Sequence, residues 1–64
     1  MKTEYDPEAN ALYVKFSDDK IAKTEELRPG IILDFDSRGH IVGIEMLDAK
    51  QKLSESALRS LAAA

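Results

Sequence analysis

The sequence predicts a small α+β domain: a four- or five-stranded antiparallel β-sheet of mainly sequential hairpins, with one C-terminal α-helix packed on its apolar face. Three observations predict it. Ile31 to Met46 spells out a hairpin together with its turn. The stretches before it alternate apolar and polar side chains between strong breaks. After Leu47 the apolar spacing changes from a strand period to a helical one.

The hairpin organises the rest. Asp36-Ser37-Arg38-Gly39 carries Asp at the first position of a type I turn and Gly at the last, where φ > 0 costs glycine nothing. Pairing Phe35 with His40 sets Leu33 against Val42 and Ile31 against Ile44. Alternation then puts Ile31, Leu33, Phe35, Val42, Ile44 and Met46 on one face. Ile32, Asp34, Ile41, Gly43 and Glu45 share the other, wetter face. Gly43, expected opposite Ile32, would leave a shallow notch there.

Upstream, Lys2–Tyr5 reads as a strand and Asp6-Pro7-Glu8-Ala9-Asn10 as a turn. Pro7 pre-sets φ, and Asn10 tolerates the left-handed region. Ala11–Phe16 alternates strictly. A four-residue loop pairs Tyr5 with Leu12 and Thr3 with Val14; a five-residue loop would turn Lys2 and Glu4 into the core, which charge burial disfavours. Ser17–Lys20 is a polar turn. Ile21–Leu27 carries charge on both faces, which suits an edge strand because it discourages pairing with another chain. Its place in the strand order stays open. Arg28-Pro29-Gly30 breaks the chain before the hairpin.

Asp48 followed by Gln51 has the form of a capping box, and Ser54 offers a second helix start. Leu53, Ala57, Leu58 and Leu61 recur at helical spacing, so the tail reads as one amphipathic helix over Ser54–Ala63, with room for a short helical turn at Ala49–Lys52. Arg59 would favour the negative end of its dipole. The expected core is Tyr5, Leu12, Val14, Phe16, Ile31, Leu33, Phe35, Val42, Ile44, Met46, Leu53, Leu58 and Leu61.

Composition bounds the rest. Sixty-four residues make a single domain, sheet over 1–47 and helical tail over 48–64. A chain this short buries only about 60% of its unfolded surface. Without cysteine it has no disulfide to supplement that core, so oligomerisation is an expected route to further burial. No apolar run approaches the length of a membrane span. Met1-Lys2-Thr3-Glu4 lacks the apolar region of a signal peptide, which leads to the expectation of a cytoplasmic protein. A net charge of −3 argues against nonspecific nucleic-acid binding. The charge is local: Met1–Leu27 holds four lysines against seven acids, whereas Arg28–Ala64 holds five of each sign.

Together, Tyr5-Asp6-Pro7-Glu8-Ala9-Asn10-Ala11-Leu12-Tyr13-Val14, Thr24-Glu25-Glu26-Leu27 with Pro29-Gly30, Leu33-Asp34-Phe35-Asp36 with Gly39, and Val42-Gly43-Ile44-Glu45-Met46-Leu47-Asp48-Ala49 resemble a small bacterial family catalogued as domain of unknown function 2283. The resemblance covers about residues 1–53. It implies a compact antiparallel sheet with a C-terminal helix, and no catalytic residue. Members often lie beside genes for small toxin-like proteins, which implies an antitoxin-like role with a partner encoded nearby; the acidic first half makes a small basic protein the expected partner.

Two motifs invite chemistry. Asp34-Phe35-Asp36-Ser37-Arg38-Gly39, with Glu45 eleven positions after Asp34, nearly fits a calcium loop. Arg38 stands where an oxygen ligand belongs, however, and in a hairpin Glu45 lies roughly 13 Å along the strand from the partner of Asp34, too far to close a cage. The bland reading gives Asp36 to backbone amides and Arg38 to solvent. His40 is the only histidine, and a catalytic base needs an orienting partner and a substrate-side group. The expected function is therefore a protein–protein interaction module, a homodimer or an antitoxin-like partner of a small basic protein, with no catalysis, cofactor or metal. Its candidate interface is Tyr13, Ile32, Ile41, Leu58 and Leu61. The alternatives are a stand-alone structural domain, or a small-molecule or metal-dependent enzyme using His40 with Asp34 and Asp36.

Overall fold

The computed structural model describes residues 1–63. Five strands, β1 (Lys2–Asp6), β2 (Ala11–Lys15), β3 (Lys23–Arg28), β4 (Ile31–Phe35) and β5 (Ile41–Leu47), form one antiparallel sheet in the order β1-β2-β5-β4-β3. Three of its pairings are sequential hairpins. The fourth, β2 with β5, joins the N-terminal hairpin to the rest and puts β5 at the centre. To reach β3, the chain leaves β2 and passes the ends of β5 and β4. Ala22 N–H bonds the Phe35 carbonyl (2.8 Å) at the end of that crossing. The charged segment is an edge strand as expected, running Lys23–Arg28, with all six residues exposed.

The four-residue loop at Pro7–Asn10 sets the expected register, Tyr5 against Leu12 and Thr3 against Val14. Asp6 Oδ1 accepts the Glu8 (3.0 Å) and Ala9 (3.3 Å) amides, and Asn10 sits at φ 53°.

The central hairpin corrects the expected register. Phe35 pairs with Ile41, not His40; Leu33 with Ile44, not Val42; Ile31 with Met46, not Ile44. The turn is longer because Asp36 N–H bonds the His40 carbonyl (2.9 Å), which draws His40 into the loop. A bulge then leaves Val42 without a partner across β4. Loop and bulge together shift the pairing of Leu33 by two residues, and a shift of two preserves the faces whereas a shift of one inverts them. Ile31, Leu33, Ile44 and Met46 therefore stay on one face although their partners were misassigned.

The tail is two helices rather than one: the short helical turn expected at Ala49–Lys52 forms as α1 (Ala49–Lys52), and the main helix is α2 (Glu55–Ala63). Leu53 breaks them apart with φ −91° and ψ 150°. Ser54 does start α2: its Oγ accepts the Ala57 amide (3.2 Å) and its carbonyl the Leu58 amide (3.0 Å). Arg59 turns back toward Glu55 (3.8 Å) and Ser56 (3.3 Å), away from the helix end it was expected to favour. Ala64 of the expected tail lies outside the described residues.

Asp48 does not cap α1. It is left-handed, at φ 53°, and its side chain makes no capping bond. The cap comes from the β1–β2 turn. Asn10 Oδ1 accepts the Lys50 amide (3.0 Å), its carbonyl accepts the Ala49 amide (3.0 Å), and its Nδ2 donates to Gln51 Oε1 (2.7 Å). Tyr5 Oη also donates to Asn10 Oδ1 (3.1 Å). One asparagine thus closes its own turn and satisfies the first amides of a helix forty residues away, amides that an α-helix cannot satisfy itself.

Among the described apolar residues, only Leu12, Val42 and Ala49 are buried. Most of the expected core, including Val14, Leu33, Ile44, Met46 and Leu58, is half-buried, and Phe16 is 43% exposed. The expectation of Phe16 as core fails because β2 ends one residue before it. Ala49, absent from the expected core, is buried at the start of α1, with its amide bonded to the Asn10 carbonyl.

If Asn10 holds the tail, Asn10→Ala should cost about 2 kcal/mol, combining a lost cap with a Cβ in the left-handed region. Asn10→Gly should recover the backbone part only. Urea unfolding of both variants, with hydrogen exchange at Lys50, checks this; an unchanged exchange rate at Lys50 would show that the cap does not hold α1.

Candidate functional site

Strand alternation sorts the side chains into two unlike faces. On one lie Tyr5, Leu12, Val14, Ile31, Leu33, Phe35, Ile44 and Met46, and the alternation carries on to Phe16. Its strand charges, Lys23 and Glu25 (3.6 Å apart) and Arg28 opposite Ile31, all lie on the β3 edge. The other face carries Lys2, Glu4 and Asp6 of β1, Lys15 of β2, Glu26 of β3, Asp34 of β4 and Glu45 of β5, five acids against two lysines. The acidic first half of the chain is not one patch. The topology sends its strands to opposite edges, and Asp34 and Glu45 fill in between them.

A hydrogen-bonded cluster sits in the middle of this polar face. Tyr13 Oη donates to Asp34 Oδ2 (2.9 Å), and Thr24 Oγ1 donates to Asp34 Oδ1 (2.8 Å). One carboxylate thereby ties together side chains from β2, β4 and β3. Gly43 makes this possible. It lies opposite Asp34, not Ile32 as expected, and a Cβ built on it would stand 2.5 Å from Tyr13 Oη. The expected notch is filled by the Tyr13 ring, since a strand glycine lets another group approach closely. Burial and the Asp34 acceptor push the Tyr13 phenol above its ordinary value.

The polar groups with chemical potential are engaged elsewhere. Asp36 Oδ1 accepts the Arg38 and His40 amides (both 2.9 Å), and Gly39, at φ 84°, donates its amide to the Asp36 carbonyl (3.1 Å). The His40 amide holds the Asp36 carboxyl below its ordinary value, and the Arg38 amide adds to this. The His40 ring is 76% exposed, and Nδ1 lies 4.0 Å from Asp36 Oδ2. Asp34 is held by Tyr13 and Thr24, away from His40, so the structure does not assemble His40, Asp34 and Asp36 into one site. Among the described residues no group of three or more His, Cys, Asp or Glu side chains is placed to hold a metal. No helix among them is long and apolar enough to cross a membrane.

The sequence-derived interface residues are likewise divided. Tyr13 and Ile32 are half-buried on the polar face. Ile41 is 48% exposed beside the bulge. Leu58 and Leu61 of α2 line an apolar hollow of about 250 Å³ with Tyr5 and Lys50, at the α1 end of the apolar face. α2 meets the face at its Tyr5 end, and the middle of the apolar face stays half-buried. Sequence reasoning did not identify that open face as a candidate surface. Its strict alternation was the available signal, and it was assigned to a core beneath the helix.

The turn carries a pH signature. Asp36 ionises more readily in the folded chain than in the unfolded one, so its contribution is present above its ordinary value of 3.8 and is lost as pH falls through its lower folded value. Asp36→Asn keeps the amide acceptor but does not titrate. In urea unfolding at pH 6 and pH 3 the native chain should lose more stability than Asp36→Asn. Parallel losses would show that the amide bonds do not favour the ionised form.

No curated protein and no solved structure matches the chain. Residues 2–50 match the family described as "Protein of unknown function (DUF2283)", which spans the sheet, its turns and the start of α1. The chain, with its five-stranded antiparallel sheet and Asn10-capped tail, belongs to that family of unknown function.

Proposed function

We propose that the protein is a protein–protein interaction module with no catalytic role. The observation that carries this reading is the apolar face of the sheet, whose central side chains keep part of their surface open. A sheet with one apolar face finds its stable arrangement against a second layer. Contiguous apolar surface on a soluble domain marks a place where another molecule binds. The polar side chains, by contrast, serve the fold: Asp34 links three strands and Asp36 closes a turn.

A second reading, the antitoxin-like one, draws on the polar face. Five acids against two lysines would attract a small basic protein, and that attraction would weaken with salt.

Photo-crosslinking residues placed separately at Phe16, Glu4 and Ser37 distinguish these readings in the producing cell. Adducts concentrated at Phe16 are expected, whatever their mass. Adducts concentrated at Glu4 and lost at high salt would favour the basic partner. Equal labelling at all three, the Ser37 turn included, would remove the module reading.

A further inference from the structure

We propose that the apolar face is covered by a second copy of this chain, packed face to face in a two-fold symmetric sandwich. This rests on the interaction-module reading and names its partner.

Three observations select the occupant. The first is charge. The strand charges on the apolar face, Lys23, Glu25 and Arg28, are confined to the β3 edge strand, so the centre of the face carries none and two such faces meet there without repulsion. Two polar faces, each with five acids and two lysines, would repel. A basic partner would be drawn to the polar face and has no electrostatic reason to choose the apolar one.

The second is area. Five strands about 4.8 Å apart and about 17 Å long cover a footprint of roughly 400 Å². The accessible surface of a corrugated row of side chains exceeds its flat projection, and Phe16 adds a protruding aromatic at one end. That is comparable with the minimum of about 500 Å² per partner that a biological interface must clear.

The third is obligation. Among the described residues only Leu12, Val42 and Ala49 give the chain a fully buried apolar core. A fold that needs its second layer must find it whenever the chain is made, and the partner always present in matching amount is the chain itself. Twisted sheets stack with their strands about 30° apart, and a two-fold axis makes one patch serve both copies. In this arrangement Phe16 lies within the contact, and α2 stands at the opposite end of the face, beside Tyr5.

Light scattering on a size-exclusion column, over a wide range of concentration, tests the proposal on the full chain. The expected result is twice the chain mass, falling to the monomer on dilution. Phe16→Glu and, independently, Thr3→Arg change exposed residues of that face, so each should weaken the dimer by about thirtyfold or more. Glu4→Arg on the polar face should leave it intact. Circular dichroism shows that each variant is folded. A monomer at every concentration would overturn the proposal, as would a dimer that neither apolar-face variant weakens. A monomer that still crosslinks from Phe16 to a different protein would end the two-fold sandwich and leave the module reading standing.

Discussion

The pairing of β2 with β5 is the interaction on which the rest of the structure depends. The other three ladders are local hairpins whose turns are written into adjacent residues. This one joins Ala11–Lys15 to Gly43–Leu47 across some thirty residues, and its backbone bonds must offset the entropy of closing that long loop. Once formed, it gives β5 a neighbour on each side and sends β1 and β3 to the edges. It also brings Tyr13 over Gly43 and within reach of Asp34. The turn before β2 thereby comes beside the residues that follow β5, which lets Asn10 cap α1.

The Asn10 cap is a consequence of that closure and a device for transmitting it. Asn10 adopts a left-handed backbone that its short amide side chain tolerates, and its side chain bonds three groups: the Tyr5 hydroxyl, the Lys50 backbone amide and the Gln51 side-chain Oε1. A helix of four residues has no stability of its own. α1 exists because its first amides are satisfied by a rigid turn, and α2 begins where Ser54 supplies a second cap beyond the extended Leu53.

The two faces divide the remaining work. On the polar face, hydroxyls and a carboxylate form a cluster across β2, β4 and β3, which stiffens the sheet through hydrogen bonds rather than burial. On the apolar face, aliphatic side chains lie in rows with their outer surfaces half open. Strand alternation produces this asymmetry, and it separates the proposed contact with a second copy from the acidic surface left to solvent or a basic partner.

Several features are legible in the sequence itself. The turn residues at Asp36–Gly39, the four-residue loop at Pro7–Asn10, the edge character of the charged strand and the helix start at Ser54 are encoded within a few positions of one another. The DUF2283 resemblance was legible too, because its motifs are contiguous. The face assignment of Ile31, Leu33, Ile44 and Met46 survived a wrong register because period-two alternation is unchanged by a shift of two. The bulge at Val42 was not legible, since nothing local distinguishes a β5 residue that loses its partner. Neither was the substitution of Asn10 for Asp48 as cap, the filling of Gly43 by Tyr13, or the splitting of the acidic half between two edges. Each depends on residues more than twenty-five positions apart. The sequence by itself determined the strands, their turns and which side chains share a face, because those follow from nearest-neighbour conformation and alternation. Only the tertiary structure decided strand order, the cap, the site cluster and the open apolar face, because those are set by which distant backbone groups close the β2–β5 ladder.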